Sequence, residues 1–166
     1  MNHFIFYLSI LLISLCISSC TTHLYFVRHA EKRNSTDTTT LSLLGQKRAN
    51  ALSELLIHSS IDSIYCTKYI RTQQTAQPLS HAIHKPIIIY NLDSIREFSQ
   101  KLVNQKGKNI LVVGHSNTVP KLIQLLTGEQ LEIQDNDFDN LFIVSIYRFL
   151  KTEIRLSQKT YGAFTP

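Results

Sequence analysis

Apolar positions along this chain follow two periods, and the alternation between them lays out strands and helices in turn. Residues 23–27 form a short apolar run of strand length. Beyond a polar stretch at 36–40, Gly45, Ala49, Leu52 and Leu56 recur at three- and four-residue spacing. That stripe predicts a helix over 42–58, with Ser42 as its cap and small residues that let it lie close to a sheet. Residues 61–65 read as a second strand. A helix over about 69–82 follows, restarted by Pro78. Residues 86–90 carry a run of isoleucine and form a third strand, after which Asp93 is placed to cap a helix over 93–104. Residues 110–113 are apolar throughout, as expected of a central parallel strand covered on both faces. A helix over 117–126 tolerates Pro120 in its first turn and stops at Thr127-Gly128. The runs 141–149 and 152–157 predict a closing hairpin.

Strands alternating with helices define an α/β chain: a three-layer α/β/α domain with a mostly parallel central sheet. In such sheets ligands bind outside the carboxyl ends of the strands. Arg28-His29 ends the first strand, Arg71 follows the second by a short loop, and His115 follows the central one. The three segments are distant in sequence, yet this topology brings them to one edge.

Composition narrows the possibilities. With 166 residues, 43% hydrophobic and 17% charged, the chain fits one globular domain with a substantial core. A net charge of +5 favours acidic ligands. No Lys/Arg cluster interleaved with aromatics is present, so a nucleic-acid partner is not expected. The first twenty residues contain no Lys, Arg, Asp or Glu, and 4–17 is apolar apart from its serines. At about 14 residues this run falls short of the roughly 20 that span a bilayer and suits a secretory signal.

The segment Leu15-Cys16-Ile17-Ser18-Ser19-Cys20 resembles a bacterial lipobox. A signal peptide over 1–19, lipidation at Cys20 and a domain over 20–166 are therefore expected, making the protein an exported, membrane-anchored lipoprotein of the cell envelope. The missing Lys or Arg ahead of the apolar run departs from that pattern, and an uncleaved anchor is the alternative. Either way Cys66 is left without a disulfide partner, as a small apolar packing residue.

The candidate chemistry is phosphoryl transfer. A phosphate dianion needs charge-assisted donors, and the planar forks of Arg28 and Arg71 suit two of its oxygens. His115, if protonated, is a third donor, and Ser116 and Asn117 at a helix opening add side-chain donors beside backbone N–H groups. His29 is the candidate nucleophile. Its attacking nitrogen must be unprotonated, so the other must carry the hydrogen against a carbonyl, the Gly114 backbone being one possibility. Attack yields a phosphohistidine that water then cleaves.

Arg28-His29-Ala30-Glu31, the Arg71-Thr72 segment and Gly114-His115-Ser116, in this order, resemble the signature of the histidine phosphatase superfamily, also called phosphoglycerate mutase-like. The resemblance implies His29 as the phosphorylated residue, with Arg28, Arg71 and His115 as the phosphate pocket. It implies a phosphorylated small molecule or phosphoprotein as partner and requires neither cofactor nor metal. Two departures stand out. Ala30 replaces the usual glycine, and no Glu-bearing acid motif follows the third strand. Asp93 is the expected general acid, with Glu97 one turn on, while Glu31 suits a structural ion pair. Only about twenty residues separate Tyr90 from Ile110, too few for a lid, which resembles the short phosphohistidine phosphatases and argues against a mutase. A phosphate-binding module without turnover is the alternative from another class. His81 and His84 lack acidic or cysteine partners for a metal, and the Asp135, Asp137, Asp139 series lacks the glycine and glutamate of a calcium loop.

Overall fold

The computed structural model describes residues 21–165. The expected signal segment, with Cys16 and Cys20, lies outside the described residues. Among the described residues six strands and four helices alternate: β1 Thr22–Arg28, α1 Leu43–Leu56, β2 Ser63–Cys66, α2 Ile70–Ala82, β3 Ile87–Ile89, α3 Ile95–Val103, β4 Asn109–Gly114, α4 Thr118–Thr127, β5 Asn140–Arg148 and β6 Thr152–Thr160. The sheet order is β3-β2-β4-β1-β5-β6. Strands β1 to β4 run parallel, whereas β5 pairs antiparallel with both β1 and β6. The sheet is thus the expected one, closed by the expected hairpin.

Alternation within the strands makes two cores. Leu24, Phe26, Ile110, Val112, Phe142 and Val144 face α3 and α4. Val27, Leu111, Val113, Ile64 and Leu141 face α1 and α2. Both faces of β4 are buried, which is why its sequence is apolar without a break. The α1 stripe is buried as its spacing predicts, and Ser42 caps the helix by accepting the Gly45 N–H at 3.1 Å. Gly45 packs on the chain just past β1 rather than on the sheet itself. A β-carbon there would lie 2.2 Å from the Glu31 carbonyl oxygen.

Two local expectations change. Pro78 sits within one continuous α2 and breaks nothing. Asp93 does not cap α3: a short 3₁₀ turn, Leu92–Ser94, intervenes, and Asn91 caps it by accepting the Asp93 N–H. The Asx turn that Asn91 makes places Asp93 inside the 3₁₀ turn, and Ser94 stands at the start of α3, which begins at Ile95. Gly128 ends α4 with φ +81°, a left-handed turn that glycine adopts at little cost.

Candidate active site

Three strand ends build one cleft. The parallel register sets Arg28 opposite Gly114, so His29 and His115 emerge side by side, with ring centroids 5.3 Å apart. The His29 N–H donates to the Gly114 carbonyl at 2.9 Å, extending the ladder one residue past β1. Arg71 arrives from the first turn of α2, and Thr75 fixes its distance from His29. The Thr75 hydroxyl donates to the Arg71 carbonyl at 2.7 Å and accepts the Ala30 N–H at 2.9 Å. The resulting cleft, about 380 Å³, is lined by Arg28, His29, Arg71, His115, Ser116 and Asn117, with Lys32, Tyr69 and Asp135 at its walls.

The two arginines are held alike. Nη1 of Arg28 donates to the carbonyls of Gln134, Asp135 and Asp137 at 2.7, 3.0 and 3.1 Å. Nη1 of Arg71 donates to the Asp37 carbonyl at 3.0 Å. Aromatic rings lie against both guanidiniums: Phe138 is 4.2 Å from Arg28 and Tyr69 is 4.4 Å from Arg71. In each case Nε is buried without a hydrogen-bond partner. A buried donor left unpaired costs free energy, and two such donors stand in this one cationic cleft. The exposed carboxylates of Asp135 and Asp37 each come within 4.0 Å of an Nη2, of Arg28 and Arg71 respectively.

The histidine tautomers follow from their partners. Nδ1 of His29 lies 2.8 Å from the Ala30 carbonyl, which can only accept, so Nδ1 carries the hydrogen and Nε2 the lone pair. The acceptor is therefore Ala30 and not Gly114, whose carbonyl is already engaged by the backbone. Burial, opposed by that hydrogen bond and reinforced by His115, Arg28 and Arg71, lowers the His29 pKa to about 3. His115 is lowered to about 4, by burial first and then by Arg71 and Arg28. Near neutral pH both imidazoles are therefore uncharged.

A hydroxyl chain orients His115. Thr72 donates to backbone carbonyls, 2.7 Å from that of Tyr69. Its oxygen therefore accepts from Thr67, 2.9 Å away. Thr67, its own hydrogen spent, accepts from Nε2 of His115 at 3.0 Å. Nδ1 is then the nitrogen left to meet a ligand. Tyr69 packs edge-on against the same ring at 5.1 Å, and the Thr118 hydroxyl accepts the His115 backbone N–H at 2.9 Å.

The carboxylates part company. Glu31 forms the anticipated structural pair, holding the buried Arg48 through its Nε and Nη2 at 2.7 to 3.0 Å. Asp93 does not line the His29 cleft. The Asn91 turn carries it into the adjoining depression with Lys68 and Asn91, behind the shared wall of Tyr69 and Leu92. Glu97 is exposed on α3. Among the described residues, Asp135, from the loop before β5, is the carboxylate in the cleft lining, with Asp37 near Arg71. Cys66 is buried, and burial pushes its thiol up, away from nucleophilic use. Sequence reasoning missed Thr67, Tyr69, Thr72, Thr75, Phe138 and Asp135 as parts of the site. The threonines lie in the same segment as Arg71, where three buried hydroxyls in one polar stretch are a readable signal. Phe138 and Asp135 carry none, because only the fold returns their loop to β1.

Residues 24–103 match the family model described as the histidine phosphatase superfamily (branch 1). That span includes Arg28, His29 and Arg71 and stops short of His115. No curated protein matches the chain in sequence. Among solved structures, a mycobacterial glucosyl-3-phosphoglycerate phosphatase superposes with a TM-score of 0.69 at 14% identity, over 86% of this chain and 100% of that one. The protein histidine phosphatase SixA complexed with tungstate gives 0.62 at 16% identity, over 83% and 96%. YhfR of Bacillus stearothermophilus gives 0.61 at 17%, over 74% and 90%. At such identities the likeness is one of fold: the phosphoglycerate mutase-like α/β/α architecture, shared here with phosphatases.

Proposed function

We propose that this chain is a histidine phosphatase that hydrolyses phosphate monoesters or phosphohistidine through a covalent intermediate on His29. The observation that carries this reading is the pair of buried, unpartnered Nε donors of Arg28 and Arg71 beside an imidazole whose Nε2 is a lone pair. With Nη1 tied back, each guanidinium offers its Nε–Nη2 edge as a fork to two phosphate oxygens. Nε2 of His29 attacks phosphorus as the bond to the leaving oxygen breaks, and charge gathering on the phosphoryl oxygens meets donors already in place. His115, uncharged on its own near neutral pH, takes up a proton from solvent beside the dianion and donates from Nδ1 while Thr67 holds Nε2. Water then attacks the phosphohistidine and releases phosphate. We assign the proton steps to Asp135 in place of Asp93: as acid toward a poor leaving group, and as base toward the water. Structures of this architecture include a glucosyl-3-phosphoglycerate phosphatase and a protein histidine phosphatase, which supports a phosphate ester or phosphohistidine as substrate.

Residues 1–19 are read as an export signal that precedes a lipidated Cys20, so the enzyme is proposed to work at the cell envelope on a lipid anchor. The test of the catalytic reading is trapping. Brief exposure to a labelled phosphate ester followed by rapid denaturation should leave acid-labile, base-stable label on His29, and His29→Ala should acquire none. A protein that binds phosphate at the cleft but never takes covalent label would be a binding module.

A further inference from the structure

The cleft occupies the carboxyl ends of β1 and β4, and the opposite end of the sheet has a different surface. There the β5–β6 turn presents Phe149 and Leu150 at 75% and 87% exposure, flanked by Arg148 and Lys151. This turn lies beside the start of β1. Thr22 pairs with Ile146, and Arg148 donates to the Thr22 hydroxyl at 3.0 Å and to the Val103 carbonyl. The Lys106-Gly107-Lys108 turn is on the same end, bonded to Thr22 and to His23. The acidic groups nearby are spoken for: Asp62 by Lys108 at 2.9 Å, and Glu153 by Arg155 at 2.6 Å. Lys106 and Lys151 leave the charge of this end positive. The chain enters the domain here too, since Thr22 follows the apolar segment and Cys20 within two residues.

From this juxtaposition we infer that the end of the sheet bearing Phe149, Leu150, Lys106 and Lys151 lies against a bilayer with anionic headgroups. The inference rests on the anchor reading of Cys20 and deepens it. A chain leaving a membrane at residue 20 has no slack to turn the domain over before β1 begins. The two apolar side chains then meet the acyl boundary and the lysines meet lipid phosphates, a second contact of the kind that strengthens a lipid anchor. The seven residues of β1, at roughly 3.3 Å each, hold the cleft on the order of 20 Å from that surface and facing away from it. The substrate class that follows is a water-soluble phosphate compound or phosphoprotein, and not the phosphate of a membrane lipid.

The chain contains no tryptophan, so a single one reports cleanly. Full-length protein carrying Leu150→Trp, or Ser35→Trp on the exposed loop beyond β1, is taken from membranes of a lipid-modifying bacterial host. Each is reconstituted into phosphatidylglycerol vesicles containing bromine-labelled lipid. Bromine quenching at least about threefold stronger at position 150 than at 35 is expected, since a site at the cleft end lies beyond reach of the acyl chains. Equal quenching in protein that floats with the vesicles overturns the inference and leaves the anchor standing. A blue-shifted but unquenched Trp at 150 points to a protein contact at this turn and overturns it as well. Protein in which Cys20→Ser stays membrane-bound strikes at the anchor reading instead.

Discussion

The Thr67 hydroxyl accepts a hydrogen bond from Nε2 of His115 across 3.0 Å, at the end of a chain that begins on the Tyr69 carbonyl. This fixes one tautomer of a neutral imidazole and reserves Nδ1 for the ligand. Thr67→Val keeps the shape and removes the acceptor. Because a misplaced catalytic group costs on the order of 100-fold, kcat/KM on an aryl phosphate should fall about 10- to 100-fold. Thr67→Ser should restore most of it. Nitrogen-15 spectra of the His115 ring should show the Nε2–H tautomer in the parent and a mixture in the valine variant. An unchanged spectrum with unchanged kinetics would remove the relay.

Asp135 is nearly free in solvent, yet it lies at the cleft and 4.0 Å from Arg28. Asp135→Asn should separate leaving groups. Alkyl phosphates, which need a proton on the departing oxygen, should lose about 100-fold in kcat, within the usual range for general acid catalysis. Aryl phosphates and phosphohistidine should lose less than about tenfold in the same comparison. Equal losses on all substrates would return the proton step to another group, Asp93 in the adjoining depression being the next to test.

Both site histidines have native pKa values below the ordinary 6.5, at about 3 and about 4. Above pH 6.5 they are neutral whether the chain is folded or not. Below it the unfolded chain takes up protons that the folded one refuses, so stability is present above 6.5 and is lost as pH falls toward those native values. The slope contributed is up to about 1.4 kcal/mol per pH unit for each histidine. Denaturant midpoints between pH 7 and 5 should show the decline, and replacing His29 by Gln should flatten part of it. The acid limb of kcat/KM, which reports the free enzyme, should follow protonation of the His29 nucleophile and fall near pH 3 rather than near 6.5.

Gly45 leaves no room for a side chain, because the Glu31 carbonyl would lie 2.2 Å from its β-carbon. Gly45→Ala must push α1 off the segment that carries His29 and Ala30. A loss of about 1–3 kcal/mol is expected from overpacking, outweighing alanine's helix preference of roughly 1 kcal/mol. Chemical denaturation measures the first. A rise in KM for phosphate esters, from displacement of the loop after β1, measures the second.

Cys20→Ser should move the protein from the membrane to the soluble fraction of the cell envelope. Fractionation with blotting checks it, and unaltered partition would favour an uncleaved apolar anchor.

Several of these elements were written plainly in the chain. The unbroken apolar run that became β4 is legible because both of its faces are covered. The Gly45-Ala49-Leu52-Leu56 stripe is legible because one helix face meets the core at each turn. Arg28, His29, Arg71 and His115 could be singled out because each follows a readable strand, and parallel strands deliver their carboxyl ends to one edge. Asp93 was misplaced as a helix cap because the Asx turn at Asn91 draws it into a 3₁₀ turn ahead of α3. Asp135 and Phe138 could not be found, since nothing near them in sequence marks the return of their loop to Arg28.

By itself, then, the sequence determined the order of elements, the two-sided burial of the sheet and the four polar side chains at its edge, because these depend on periodicity and on short-range position. The tertiary structure alone decided which nitrogen of each imidazole holds its hydrogen, which edge of each guanidinium stays open and which carboxylate stands at the cleft. Those outcomes depend on hydrogen-bond partners and burial supplied by segments more than a hundred residues away.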